Sequence, residues 1–307
     1  MEYISTRGHG EAVSSANAIV KGLAPDGGLY TPYKIIQLSE YEMNAITTAS
    51  YIEVAKIVFS KFLSDFSVHQ ISTCVNKAYQ DTFKSDEVTP IHNLTDKTKV
   101  LELWHGPTSA FKDVALQALP HLLTTSVQII GEKDDIAIIV ATSGDTGKAA
   151  LEGFKNVDGT QIVVMYPNKG VSNIQKQQMV TQEGNNVNVI AIQGNFDDAQ
   201  SAAKKIFTDS AIEKEFLDKN IKLSSANSIN WGRLLPQIVY YVRSSFTIQK
   251  NEKLADDELI DYIVPTGNFG NILAAYYAKQ MGASSAMIGC ATVDLKVMRG
   301  ADLIGHD

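Results

Sequence analysis

Lys112 is the residue of this chain whose surroundings most suggest chemistry. It follows a Gly-Pro turn and two hydroxyl residues, Thr108 and Ser109. A proline cannot lie inside a helix and a hydroxyl can cap one, so the sequence predicts a helix of about three turns that ends before Pro120, with Lys112 in its first turn. The positive end of the helix dipole favours a neutral amine, the nucleophile of Schiff-base chemistry. A surface lysine near a helix cap is the alternative.

A second candidate is the turn at 141–147, between a predicted strand and a predicted helix. Its two glycines and its hydroxyl residues, among them Ser143 and Thr146, offer backbone and side-chain donors to an anion at a helix start. The turn is not a P-loop, because Thr142 stands where the first glycine would be and Ala149 replaces the hydroxyl residue that holds magnesium. An ordinary strand-to-helix turn remains the alternative.

Two further segments suggest anion binding. The loop at 265–271 holds Gly267, Asn268, Phe269, Gly270 and Asn271 before a predicted helix, a composition that favours phosphate binding over an ordinary loop. The segment at 227–233 brings together Asn227, Ser228 and Arg233, and a guanidinium can hold an oxyanion in two hydrogen bonds. For this second segment, an arginine on an ordinary helix surface is the alternative.

Together these segments narrow the chemistry. A candidate Schiff-base lysine and a phosphate-binding loop on an α/β sheet suggest pyridoxal 5′-phosphate as cofactor, and the other two turns suggest an anionic substrate. No metal is expected, because the six histidines are scattered and the two cysteines, Cys74 and Cys290, lie far apart.

Composition excludes several other classes of function. The chain has 307 residues, 44% of them hydrophobic and 20% charged, as is typical of a globular protein. Its net charge of −7 argues against a nucleic acid or an anionic membrane as partner. No apolar run reaches membrane-spanning length, no signal or transit peptide is recognisable, and the cysteines offer no disulfide framework, so we expect a cytoplasmic location.

The order of elements predicts the fold class. The first ninety or so residues carry helical periodicity, and short apolar runs then alternate with helices, which indicates an α/β protein with doubly wound parallel sheets and a mainly helical N-terminal domain. We expect an N-terminal domain at 1–95 and a catalytic region at 96–307. The predicted strands lie at 100–103, 136–141, 161–165, 188–192 and 262–265, and the predicted helices at 147–154, 173–181, 197–207, 233–247 and 270–281.

Six strings of the chain resemble threonine synthase, a fold-type II enzyme that uses pyridoxal 5′-phosphate and has a tryptophan synthase β-like fold. They are GLAPDGGLYTP at 22–32, FKSDEVTPIHNL at 83–94, LELWHGPTSAFKDVALQ at 101–117, ATSGDTGKAA at 141–150, NSINWGRLLPQ at 227–237 and VPTGNFGNILAAYYAKQMG at 264–282. The resemblance is to the longer, fungal and bacterial branch. It implies a smaller mobile subdomain at about 125–205, with 96–124 and 206–307 forming an incomplete large subdomain.

The resemblance also implies roles for individual residues. Lys112 would hold pyridoxal 5′-phosphate through its amine and later move the substrate protons, and Asp145 would lie near the hydroxyl of the cofactor ring. The cofactor phosphate would be bound by Gly267, Asn268, Phe269 and Gly270. The substrate, O-phospho-L-homoserine, would be bound by Ser143, Thr146, Asn227, Ser228, Arg233 and Asn271.

The implied reaction eliminates phosphate from the γ carbon of O-phospho-L-homoserine and adds water at the β carbon, which gives L-threonine. Two departures from the family pattern matter. Asn271 stands where this branch commonly has an aspartate, and the family's C-terminal part, with its partner for the pyridine nitrogen, is not recognisable after about 292. The unrecognised C-terminal part favours a truncated, non-catalytic fragment as one alternative. A phospholyase that yields a 2-oxo acid is another, because it shares every motif, and the oligomeric state, monomer or homodimer, stays open.

Overall fold

The first quarter of the chain is mainly helical, as predicted. The computed structural model describes residues 1–142, 144–255, 258–265, 267–285 and 288–291. An antiparallel pair of strands lies beside four helices: β1 (Tyr3–Ser5), β2 (Tyr30–Pro32), α1 (Ser15–Lys21), α2 (Glu40–Ile46), α3 (Tyr51–Phe62) and α4 (Val68–Tyr79). Each helix follows a serine whose hydroxyl accepts a backbone N–H from the first turn, so its start is fixed by local sequence.

The segment around Lys112 differs from its prediction. Strands β3 (Ile91–Asn93) and β4 (Lys99–Leu101) form an antiparallel hairpin, so the predicted strand at 100–103 does not join a parallel sheet. The helix predicted after Thr108 is only four residues long, α5 (Asp113–Leu116), and α6 (Leu119–Ile129) follows it. Pro120 lies in the first turn of α6 and does not end the preceding helix, because a proline there lacks only an N–H that no helical partner would use.

A four-stranded parallel sheet forms the centre of the middle region, in the order β7-β6-β5-β8. Its strands and the helices between them are β5 (Asp135–Ala141), α7 (Asp145–Phe154), β6 (Thr160–Pro167), α8 (Asn173–Val180), β7 (Val187–Ile192), α9 (Phe196–Thr208), α10 (Ser210–Leu217) and β8 (Ile221–Ser224). The predicted strands and helices here are confirmed, and β8 and α10 are additional.

Both faces of this sheet are covered, as a doubly wound fold requires. Ile138 and Val140 of β5 belong to the main core, which includes apolar residues of α7, whereas Ile139 and Ala141 alternate to the other face and pack with Ala199 of α9. Because successive strand residues point to opposite faces, helices on both sides bury β5 from Ile136 to Ala141.

The described chain ends with α11 (Trp231–Glu252), β9 (Tyr262–Pro265), α12 (Gly270–Gln280) and β10 (Ile288–Ala291), and β9 pairs with β10 in parallel. Trp231 packs against Tyr3, Phe62 and Tyr277 with ring centroids 5.3 to 5.4 Å apart, which joins the N-terminal helices to α11 and α12 in one core. In the described ranges, no helix is long and apolar enough to cross a membrane. The domain boundary at 95 stays a prediction.

Candidate active site

Lys112 lies immediately before α5. Its side chain is only 20% exposed, and its Nζ is 3.6 Å from Oδ2 of Asp145, the first residue of α7. The same amine lies 4.5 Å from the centre of the Phe111 ring. The structure therefore brings together Lys112 and Asp145, two residues that the sequence places in separate motifs.

The electrostatic surroundings favour a neutral Lys112. Burial lowers the pKa of its amine most; the nearby Asp145 carboxylate opposes this, and the Arg233 guanidinium lowers the pKa further. The negative charge of Asp113 also opposes the shift. The direction predicted from the sequence is confirmed, but the main cause is burial and not the dipole of a three-turn helix, because α5 is four residues long and begins after Lys112.

A buried carboxylate shapes the turn before Lys112. Asp113 accepts hydrogen bonds from the backbone N–H of Thr108 at 2.8 Å and from the Thr108 hydroxyl at 2.6 Å. An ideal Cβ on Gly106 would lie 2.4 Å from Cβ of Asp113, so only glycine leaves room for this carboxylate. Thr108 thus binds Asp113 instead of capping a helix, and Ser109 adopts a positive φ of 59° that no helix accepts.

The turn before α7 is held by Thr142. Its Oγ1 accepts hydrogen bonds from the N–H groups of Gly144 at 3.0 Å and Gly147 at 2.9 Å. Asp145 then projects from the start of the helix, with Oδ2 toward Lys112 and Oδ1 accepting a hydrogen bond from Nε2 of Gln175 at 2.6 Å. Gln175 belongs to α8 and was not among the predicted site residues.

Arg233 is a buried cation in the first turn of α11. Its Nη1 donates to the carbonyl oxygen of Ala226 at 2.7 Å, and burial lowers its pKa to about 10. Asn230 caps the helix through the N–H of Gly232, while its amide group donates to the carbonyls of Ile19 and Ser225. The turn at 227–230 is therefore held in place by the hydrogen bonds of Asn230. Arg233 lies close enough to Lys112 to lower the pKa of its amine.

The loop at 267–271 approaches the same turn. An ideal Cβ on Gly270 would lie 3.5 Å from Cβ of Ser228, an ordinary contact distance. Phe269 precedes α12 in a left-handed conformation with a φ of 57°, and the residue is 60% exposed. The Oδ1 of Asn271 accepts hydrogen bonds from the hydroxyls of Tyr240 and of Tyr241, the latter at 2.9 Å, which ties the start of α12 to α11.

Two helices begin at these turns after a residue that does not cap them, although the Thr142 hydroxyl accepts the N–H of Gly147 in the first turn of α7. α7 follows Gly144 and α12 follows Phe269, and neither of these residues makes a side-chain cap hydrogen bond. By contrast, α1 and α8 are capped by Ser14 and Ser172. N–H groups in the first turn of an uncapped helix, with the positive end of its dipole, suit an anionic ligand.

The structure brings some of the predicted site residues together. Lys112, Asp145 and Arg233 lie together, and Gly270 lies beside Ser228. Thr146, Asn227, Gly267, Asn268, Phe269 and Asn271 lie in the same turns and helix starts, and their predicted roles stay predictions. Ser143 lies outside the described residues.

The chain is similar to known proteins along nearly its whole length. Residues 2–79 match the family described as threonine synthase N terminus. The chain is 41% identical to threonine synthase of Schizosaccharomyces pombe and 39% identical to that of Pseudomonas aeruginosa, in each case over 95% of this chain. It also superposes on the crystal structure of threonine synthase from Brucella melitensis with pyridoxal phosphate bound, with a TM-score of 0.85 and 40% identity over 95% of this chain.

The resemblance to threonine synthase is confirmed. So is the fold-type II α/β class, which the threonine synthase structures from Brucella melitensis and yeast share with this chain. The chain spans 57% of the Schizosaccharomyces pombe protein and 60% of the Pseudomonas aeruginosa protein.

Proposed function

We propose that this chain provides the lysine-bearing site of a pyridoxal 5′-phosphate-dependent lyase of the threonine synthase type. The proposed substrate is O-phospho-L-homoserine, and the products are phosphate and L-threonine. The observation that carries the proposal is the placement of Lys112, a largely buried amine with a lowered pKa, 3.6 Å from the Asp145 carboxylate and within the electrostatic influence of the buried Arg233 guanidinium. The similarity of 95% of the chain to the threonine synthases of Schizosaccharomyces pombe and Pseudomonas aeruginosa supports it.

The residues present fit the proposed cofactor. A neutral amine is the form that attacks an aldehyde, and burial favours that form at Lys112. The uncapped start of α12 and the open space around Gly267, where an added Cβ would meet nothing within 4 Å, suit the phosphate of the cofactor. Gly267, Asn268, Phe269 and Gly270 would hold that phosphate, and Asp145 would face the ring hydroxyl.

The chemistry divides between cofactor and protein. Bound pyridoxal 5′-phosphate supplies an electron-withdrawing ring that stabilises negative charge formed on the substrate carbons. Lys112, once its amine is free, accepts and returns the substrate protons at its Nζ, because this amine lies 3.6 Å from the Asp145 carboxylate and has a lowered pKa. Asp145 limits the fall in the pKa of Lys112 and so keeps the amine basic enough to accept a proton.

The anionic ends of the substrate require positive partners. Arg233, with donors of the turn at 227–228, would bind one anionic group of O-phospho-L-homoserine. The start of α7, with Thr146 and the hydroxyl of Ser143, would bind the other, and Asn271 would contribute its amide group. These assignments follow the predicted roles.

Product analysis tests the proposal directly. The chain, supplied with pyridoxal 5′-phosphate, is incubated with O-phospho-L-homoserine, and phosphate, L-threonine and 2-oxo acid are measured. The Lys112→Ala variant is expected to lose visible cofactor absorbance and all turnover, whereas Lys97→Ala, at an exposed lysine, retains both. Equal turnover in the wild type and Lys112→Ala would falsify the proposal, and 2-oxo acid in place of threonine would indicate a phospholyase.

We also infer a small-molecule substrate without nucleic acid or membrane partners, and a cytoplasmic location. The net charge of −7 and the absence of a disulfide cysteine pattern in the sequence support these inferences.

A further inference from the structure

Gln175 bridges Asp145 and the start of α8. Its Nε2 donates to Oδ1 of Asp145 at 2.6 Å, and its Oε1 accepts from the hydroxyl of Ser172 at 3.0 Å. The Ser172 hydroxyl also caps α8 by accepting the N–H of Gln175 at 3.3 Å. The amide group of Gln175 is therefore oriented at both ends, with its donor toward Asp145.

The backbone leaves space for this bridge. An ideal Cβ on Gly144 would lie 2.6 Å from the amide carbon and nitrogen of Gln175, closer than real Cβ contacts come. Gly144 also has a φ of +156°, which side-chain-bearing residues rarely adopt. The glycine of the turn thus lets the Gln175 amide lie against the residue that precedes Asp145.

Asp145 is not held by burial. Its side chain is 49% exposed, so if the hydrogen bond from Gln175 were removed, the carboxylate would be free to rotate into solvent. The Gln175 hydrogen bond fixes one carboxylate oxygen, and this orientation directs the other oxygen toward Lys112, 3.6 Å away.

We propose that Gln175 is a positioning residue, which holds the Asp145 carboxylate against the Lys112 amine. Resting on the proposed function, it would also hold Asp145 where this residue would face the ring hydroxyl of the cofactor. The groups that face Lys112 electrostatically are Asp145, Asp113 and Arg233. Of the two carboxylates, Asp113 is fixed by Thr108, so Asp145 is the one whose position depends on Gln175.

The proposal predicts a change in Lys112 that needs no cofactor. In the Gln175→Met variant, which keeps the volume of the side chain but removes the donor, Asp145 turns away and Lys112 loses part of its counter-charge. The midpoint at which Lys112 reacts with acetic anhydride should then fall by on the order of half a pH unit, measured by competitive labelling and mass spectrometry of the Lys112 peptide. The matched control is Gln177→Met, at an exposed glutamine of the same helix.

A double variant makes the test specific for Asp145. Asp145→Asn should lower the midpoint of Lys112 by itself, and adding Gln175→Met should then change nothing further. Ser172→Gly removes the hydroxyl that orients the amide at little cost to the helix cap, so it should lower the midpoint in the same direction and also serves if Gln175→Met does not fold. An unchanged midpoint in both Gln175→Met and Ser172→Gly, or a Gln175→Met shift that persists beside Asp145→Asn, overturns the proposal.

Cofactor binding separates this proposal from the proposed function. Pyridoxal 5′-phosphate is titrated into the same variants, and the pH dependence of the visible absorbance is recorded. One outcome is that the protein binds no pyridoxal 5′-phosphate but the labelling midpoint of Lys112 still shifts in Gln175→Met. That outcome supports the positioning of Asp145 by Gln175 and contradicts the proposed function. Normal cofactor binding at Lys112 with an unshifted midpoint supports the proposed function and overturns the role of Gln175.

Discussion

Gly153 of α7 lies directly against the backbone of Leu116, the last residue of α5. An ideal Cβ on Gly153 would be 2.1 Å from the carbonyl oxygen of Leu116, so the two helices touch backbone to backbone. Lys112 immediately precedes α5 and Asp145 begins α7. The distance between the amine and the carboxylate therefore depends on this close approach at the other ends of the two helices.

The first prediction concerns this contact. Gly153→Ala forces α5 and α7 apart, because a backbone oxygen cannot turn aside as a flexible side chain can. We expect the free energy of unfolding to fall by about 1–3 kcal/mol, as for other overpacked sites, measured by urea denaturation. Gly289→Ala, where the nearest atom lies at an ordinary 3.8 Å, is the control. Equal stability of the Gly153→Ala variant and the wild type would show that the helices can separate without cost.

The second prediction concerns the turn before Lys112. The carboxylate of Asp113 accepts hydrogen bonds from both the N–H and the hydroxyl of Thr108. Asp113→Asn and Thr108→Val therefore each weaken the same pair of hydrogen bonds. Each variant is expected to lose on the order of 1–3 kcal/mol of unfolding free energy. The double variant should lose clearly less than the sum of the two, because the residues act as a pair. Additive losses in urea denaturation would contradict the pairing.

The parallel sheet could be predicted because its strands are short apolar runs rich in β-branched residues. The range 262–265 was predicted without error, and β5, β6 and β7 were found to within two residues at each end. Strand β8, Ile221–Ser224, was missed because four residues that include Lys222 do not stand out from a loop. A run at 100–103 resembled these strands, but its partner is the local strand β3 and not the sheet.

The site residues that could be predicted from the sequence are those that lie in a distinctive local motif. Lys112, Asp145 and Arg233 each stand in a distinctive turn, and the structure brings them together. The helix around Lys112 was predicted wrongly because Thr108 was expected to cap it, whereas its hydroxyl bonds to Asp113. Gln175 could not be found from the sequence, since its role depends on α8 lying beside the start of α7.

The third prediction concerns the charge next to Lys112. The Arg233 guanidinium disfavours the Lys112 ammonium, so Arg233→Met should raise the pKa of Lys112 toward its ordinary value. Competitive labelling of the cofactor-free protein should therefore show a higher midpoint for Lys112. Arg243→Met, which removes another buried arginine of α11, should leave that midpoint unchanged. A midpoint that does not rise in Arg233→Met would mean that the two cations do not interact.

The fourth prediction concerns the acid stability of the protein and depends on His121 in α6. Burial, assisted by the positive charge of Lys77, lowers the pKa of His121 from 6.5 to about 4. At pH values between these two pKa values, His121 binds more protons in the unfolded chain than in the folded one. The contribution of neutral His121 to the free energy of unfolding is therefore present above pH 6.5 and is lost as the pH falls toward 4.

From pH 7 to pH 5 the wild type should thus lose on the order of 2 kcal/mol more unfolding free energy than His121→Gln, which cannot titrate. The same substitution at His69, an exposed histidine of α4, should retain the pH dependence of the wild type. Urea denaturation at the two pH values measures the difference. If His121→Gln loses as much stability as the wild type, other groups must account for the acid sensitivity, because His121 would then titrate alike in the folded and unfolded chains.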